Sequence, residues 1–287
     1  MNLPVLMAMG SLLLVSHAAA ADTDATLEVT SLLGQKLYAL PDADGAIRAA
    51  SKHLEADPKN VSLILKLSKA QAAKRQYREA IATCTAGLVS APDNAELYLE
   101  RGHRELGLRD FKGAMADLTR AVEIDPKNLE AQYHLGMTYY FLGQFRIAAQ
   151  SFGRALALAQ NSDSLIDCAN WRYVALRRDG QTDEGKRVLD LITPSIKNTE
   201  PHLFFYLQLL HFYQGGVSES QVLPAKPAKA SDTEAELSFN TINYGVGNWH
   251  LYNDQPDQAR KYFDQVVTGS AWNSWGFIGS ELELSRK

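Results

Sequence analysis

The chain has 287 residues, 46% hydrophobic and 22% charged, the balance of a folded protein and not of a disordered one. A formal net charge of -4, without any long basic run, excludes the basic stripe on which nucleic-acid binding depends. The length suits one or two ordinary domains or a single elongated array.

Residues 1–20 read as a signal peptide. Val5 to Val15 is a short apolar run, an alanine run follows, and Ala18 and Ala20 satisfy the small-x-small cleavage pattern. The mature chain, 21–287, is therefore expected to begin at Ala21 or Asp22, although the leading stretch lacks Lys and Arg. The apolar run is shorter than the ~20 residues of a spanning helix, and no later run is long enough. An exported protein, periplasmic or secreted, with no stable membrane span is expected; retention of the leader as an anchor is the alternative.

From residue 27 the sequence repeats. Taking Leu135-Gly136 as the seventh and eighth positions starts a unit at Leu129, and steps of 34 residues lead back to Ala95, Val61 and Leu27. The unit 129–162 has Leu135, Gly136, Tyr139, Ala148, Phe152 and Ala155; the unit 95–128 has Tyr98, Gly102, Phe111, Ala114, Leu118 and Ala121. The unit 61–94 keeps Leu67, Tyr77, Ala80, Cys84 and Leu88, and the unit 27–60 keeps Leu33, Gly34, Ala46 and Leu54. Pro58, Pro92 and Pro126 recur at the same interval, each ending a helix that proline cannot continue. Within each unit the apolar residues fall at i, i+3, i+4, i+7, which indicates helices and not strands. A fifth unit covers 163–200 and a degenerate sixth 201–223, with a stunted second helix. A polar Pro/Ala/Lys loop follows at 224–232. The seventh unit, 240–269, returns to register with Gly247, Ala259 and Phe263, and 270–287 reads as a closing helix.

This pattern resembles the tetratricopeptide repeat (TPR) family, whose unit is a 34-residue helical hairpin. The resemblance implies an all-α fold: an α-solenoid of TPR helix-turn-helix repeats with a C-terminal capping helix. From the fifth unit onward the order of parts loosely resembles envelope TPR proteins of the NlpI type, in Trp171-Arg172-Tyr173, in the "FYQG" and "YGVGN" stretches and in the closing helix. That group is lipid-anchored through a cysteine at the cleavage site, and this chain has alanines there. The register sets Cys84 and Cys168 several helices apart, too far for a disulfide, so two unpaired thiols are expected.

In TPR folds the concave groove is lined by positions 2, 5, 6, 9, 12 and 13 of each first helix. The resemblance therefore implies a partner-binding surface of Tyr133, His134, Met137, Tyr140 and Phe141 from the fourth unit. The fifth adds Asp167, Trp171 and Arg172, the seventh Tyr244, Asn248 and Tyr252, and the earlier units Lys66, Lys69, Glu100 and His103. Tyr139 is expected to fill the core slot of its helix, leaving Tyr133, Met137, Tyr140, Phe141 and Trp171 as an exposed aromatic stripe. Chaperone-binding relatives clamp a carboxylate with Lys and Asn residues; the equivalent slots here hold Leu65/Lys69, Glu100 and Glu130/His134, so that clamp is absent.

Catalytic motifs are missing: there is no HExxH, no G-x-S-x-G and no Walker loop. His103 and His134 face a common groove near Glu100 and Glu130, but two histidines fall short of the three or four ligands of a zinc site. Cys84 reads as a small core residue. The expectation is a non-catalytic exported scaffold or adaptor that holds a protein or peptide partner in its groove, with no cofactor and no metal, in cell-envelope assembly or turnover. An envelope hydrolase or metal-dependent enzyme, and a structural subunit of an envelope complex, are the alternatives. The sequence does not specify the oligomeric state.

Overall fold

The computed structural model describes residues 26–201, 203–227 and 233–286. The expected signal peptide lies outside the described residues. The first described element departs from the expected helical pair. β1 (Leu27–Thr30) and β2 (Lys36–Tyr38) form a small antiparallel sheet. Gly34 sits in the connecting turn with φ 84, a conformation that glycine adopts without strain. In the unit 27–60 only α1 (Ala46–Ala56) is helical; Val29, Thr30 and Tyr38 belong to residue types that favour strands.

Three regular hairpins follow: α2 (Val61–Ala73) with α3 (Tyr77–Ser90), α4 (Ala95–Gly107) with α5 (Phe111–Ile124), and α6 (Leu129–Phe141) with α7 (Phe145–Ala157). Their first helices begin at residues 61, 95 and 129 because the same local signals recur there. A proline blocks the preceding helix, and two residues later Asn60, Asn94 or Asn128 caps the next one. Each carboxamide oxygen accepts a hydrogen bond from a first-turn N–H, at 3.3 Å from Leu63, 3.0 Å from Leu97 and 3.0 Å from Ala131. α8 (Ser162–Arg178) is longer and pairs with the short α9 (Thr182–Leu189). α10 (Leu203–Tyr213) is followed by only the one-turn α11 (Glu219–Val222) in place of a second helix, and packs on α8 and on the helix that comes next. α12 (Thr233–Leu251) starts ahead of residue 240 and packs against α13 (Pro256–Val266); α14 (Trp275–Ser285) closes the chain.

The hairpins are held by one repeated contact. A Cβ added at Gly136 would lie 2.8 Å from the Phe152 ring, one at Gly102 2.8 Å from Leu118, and one at Gly247 2.5 Å from the Phe263 ring. The small eighth position thus receives the large side chain of the twenty-fourth. Ala148, at the twentieth position of the fourth unit, is itself fully buried.

α14 does more than cap. It packs on α12 and α13 as a closing helix should, yet it also crosses the concave face. The Trp275 ring lies 5.3 Å from His103 on α4 and 6.0 Å from Phe141 on α6. The two ends of the array meet: Trp272 Nε1 donates to the Tyr38 carbonyl at 3.2 Å, and Arg75 Nη1 to the Ser270 carbonyl at 2.8 Å. Leu37, Tyr77, Val266, Trp272 and Phe277 form a shared apolar cluster across this junction. The solenoid is curled until its last helix fills its own groove.

Candidate functional site

This closure corrects the expectation of an exposed aromatic stripe. Tyr133 retains 4% of its surface, Met137 0%, Tyr140 1%, Phe141 2% and Trp171 2%. They face the concave side as the repeat register requires, but α12 and α14 already cover that side. Tyr140, and not the half-buried Tyr139, is the fully packed tyrosine of α6. Its hydroxyl donates to Asn248 Oδ1 at 2.9 Å and accepts from the Tyr244 hydroxyl at 3.2 Å. Trp171 packs between Tyr140 at 5.4 Å and Phe152 at 6.3 Å, and Tyr244 lies where a side chain at Gly279 of α14 would stand. Buried aromatic contacts of this kind stabilise a core by area and by ring geometry. Met137, Tyr140, Phe141, Trp171, Tyr244 and Asn248 are therefore the internal seam between the repeats and the closing helix.

Two of the expected residues lie elsewhere. Arg172 points to the outer face, where its guanidinium packs over Gly153 in a groove shared with Arg146 and Arg154. Tyr252 is half-buried under the Arg177 guanidinium, 4.4 Å from its ring centre.

Tyr133 and His134 instead border the space that α14 leaves open. This is a cleft of about 570 Å³ between α2, α4, α6 and α8 on one side and α10, α12 and the start of α14 on the other. Lys69, His103, Arg104, Glu130 and Asp167 bring polar groups to it; Phe205, Tyr206 and Trp275 bring apolar walls. Lys69, His103 and Asp167 were legible from the groove positions. Phe205, Tyr206 and Trp275 were not, because they reach the cleft only through the curvature of the whole array.

The charges in the cleft are unevenly matched. Arg104 is taken up by Glu100, at 3.0 and 3.2 Å, and Ser68 donates to the same carboxylate at 3.1 Å. The His103 and His134 rings are 4.1 Å apart. His134 Nδ1 is 2.8 Å from the Glu130 carbonyl, so the neutral ring carries its proton there and leaves Nε2 as an acceptor. Burial holds His134 down at about 4, and burial with the neighbouring Arg104 charge holds His103 well below the usual histidine range. Asp167 is held by one donor, the Tyr133 hydroxyl at 2.9 Å. Burial pushes its carboxyl up to about 7; the Tyr133 bond opposes this and the Glu130 charge adds to it. Among the described residues no group of three or more His, Cys, Asp and Glu is placed to hold a metal ion. Cys84 and Cys168 are both free and buried, with thiol pKa values raised by burial, that of Cys84 to about 11, which keeps both thiols protonated.

Two tetratricopeptide repeat family models match the chain, over residues 65–128 and 105–167. Together with the capped 34-residue hairpins they show that residues 65–167 are built of tetratricopeptide repeats. Among solved structures it is similar to a tetratricopeptide repeat protein from Parabacteroides merdae, at 18% identity and a TM-score of 0.52, over 86% of this chain and 93% of that one. A looser likeness links it to YrrB, a TPR protein with an unusual peptide-binding site, at 16% identity and a TM-score of 0.47, over 78% of this chain and 93% of that one. MamA is comparably distant, at 24% identity and a TM-score of 0.45, over 61% of this chain and 91% of that one. No curated protein matches the chain.

Proposed function

We propose that this chain is a non-catalytic, exported scaffold that binds a protein or peptide segment in the cleft beside its closing helix. The observation that carries the reading is the cleft itself, about 570 Å³ at the concave mouth of the first helices of consecutive repeats, walled by Phe205, Tyr206 and Trp275. TPR proteins bind protein or peptide partners and are generally non-catalytic scaffolds. Interfaces draw their energy from a few aromatic anchors within a polar surround, which is the make-up of this cleft. The leader-like residues 1–20 and the NlpI-type order of parts support a place in the cell envelope.

The test is photo-crosslinking in living cells with a benzoylphenylalanine at Phe205, in the cleft, compared with one at Val89, which is 84% exposed. A discrete adduct from position 205, absent from position 89 and lost when Tyr206 is changed to Ala in a folded variant, supports the reading. The same adducts from both positions, or none from either, contradict it.

A further inference from the structure

Resting on that reading, the polar groups of the cleft say what kind of segment it takes. Besides the exposed Lys69 ammonium, those short of a protein partner among the described residues are acceptors. Among the described residues nothing hydrogen-bonds to His134 Nε2, although that side chain is only 8% exposed. Among the described residues the one donor to the Asp167 carboxylate is the Tyr133 hydroxyl, which leaves further lone pairs without a protein donor. Of the cations nearby, Arg104 is bonded to Glu100, and Lys69, whose charge acts on Glu130 and His103, has no resolved effect on Asp167. A half-buried carboxylate with one neutral donor and no bonded cation is poorly compensated, and such groups mark sites where a ligand completes the pairing.

We propose that the cleft binds a cationic side chain, arginine or lysine, of its peptide partner, with Asp167 as the counter-charge and the Tyr206, Phe205 and Trp275 walls packing against the aliphatic stem. The acceptors then gain donors, and an arginine or lysine stem covers apolar surface while its head reaches the carboxylate. This is the reverse of a carboxylate clamp.

The pH dependence belongs to Asp167. Among the described residues the charged or titratable groups of the cleft are Lys69 on α2, Tyr77 on α3, His103 and Arg104 on α4, Glu130, Tyr133 and His134 on α6, and Tyr206 on α10, with Cys168 beside Asp167 on α8; α12 and α14 bring none to it. Between pH 6 and pH 8 the histidines remain neutral, and Tyr133, Tyr206 and Cys168 remain protonated. A midpoint of about 7 makes the ionised fraction of Asp167 rise about tenfold across that window.

The experiment titrates the full chain, carrying carbon-13 at aspartate Cγ, with N-acetyl-arginine amide, its neutral isostere N-acetyl-citrulline amide, and N-acetyl-glutamate amide. The arginine compound is expected to move the Asp167 signal and to bind about tenfold more tightly at pH 8 than at pH 6. Citrulline and glutamate amides are expected to leave the signal in place. Asp167→Asn, which keeps an acceptor for Tyr133, is expected to bind arginine amide no better than citrulline amide. Equal responses to arginine and citrulline, binding that ignores pH, or arginine binding intact in Asp167→Asn would each overturn the inference. Crosslinking from Phe205 separates the two readings. If neutral segments engage the cleft as well as cationic ones, the scaffold reading stands and the charge assignment falls; if nothing engages the cleft, both fall.

Discussion

Arg109 and Glu281, 172 positions apart, meet at 2.8 Å with side chains only 4% and 0% exposed. Arg109 occupies the turn between α4 and α5 with φ 64, and Glu281 lies on α14. The same carboxylate also accepts from the Leu32 N–H in the turn of the N-terminal sheet. One buried side chain thus joins the start, the middle and the end of the solenoid. Removing one partner of a buried ion pair strands the other, at a cost of about 3–5 kcal/mol. Glu281→Ala is expected to lose stability on that scale in denaturant unfolding, and the double variant Arg109→Met/Glu281→Leu to lose less. Near-native stability in Glu281→Ala would show that the pair does not hold the closure.

The hairpin contact predicts a second loss. Gly136→Leu drives a side chain into the Phe152 ring, which already lies 2.8 Å from the place of a Cβ. Overpacking of this kind costs about 1–3 kcal/mol. Pairing it with Phe152→Ala should recover part of the loss, and an unchanged melting temperature in the single variant would refute the register.

Acid should weaken the fold through the histidines. The ordinary histidine value is 6.5, and His134 is held at about 4 in the folded chain. As pH falls below 6.5 the unfolded chain takes up the proton first, so stability is full above that value and declines towards about 4. His134→Gln is expected to flatten this decline in unfolding free energies measured at a series of pH values; an identical slope would count against a buried neutral ring.

Asp167 carries the opposite sign. Its folded value is raised from 3.8 to about 7, so the folded chain holds the proton longer and stability falls as pH rises across that interval. Asp167→Asn should therefore gain stability relative to the native chain at pH 8 compared with pH 4, measured by the same unfolding series. An equal offset at both values would mean that the carboxyl is not strained.

Export is checked at the N-terminus. Sequencing of the protein from its native host is expected to read from Ala21 or Asp22, and an intact Met1 in the membrane fraction would contradict cleavage.

How far the sequence reaches depends on how local each signal is. The starts of α2, α4 and α6 were legible because proline stops and asparagine caps act within a few residues. The N-terminal sheet was missed because Leu33 and Gly34 mimic the repeat, although Val29, Thr30 and Tyr38 are strand formers. The path of α14 was missed for a different reason. Gly276, Phe277, Ile278, Gly279 and Ser280 are all buried, the mark of a helix enclosed on every side, but that pattern does not say what encloses it. Small unit-to-unit rotations sum to the curvature that brings α4 and α6 against α14, and no single window of sequence carries that sum. Neither the burial of Met137, Tyr140, Phe141 and Trp171 nor the separate placement of Arg172 and Tyr252 was therefore legible.

The central claim is that the closing helix fills the groove and leaves the cleft beside it as the open site. Benzoylphenylalanine at Trp275, irradiated in the purified full chain and mapped by mass spectrometry, tests this most directly. Intramolecular links are expected from position 275 to His103 on α4 and to His134 or Phe141 on α6, whose rings lie 5.3, 6.0 and 6.0 Å from Trp275. Links confined to α12 and α13, with none to α4 or α6, would mean that the helix only caps the array and that the groove stands open.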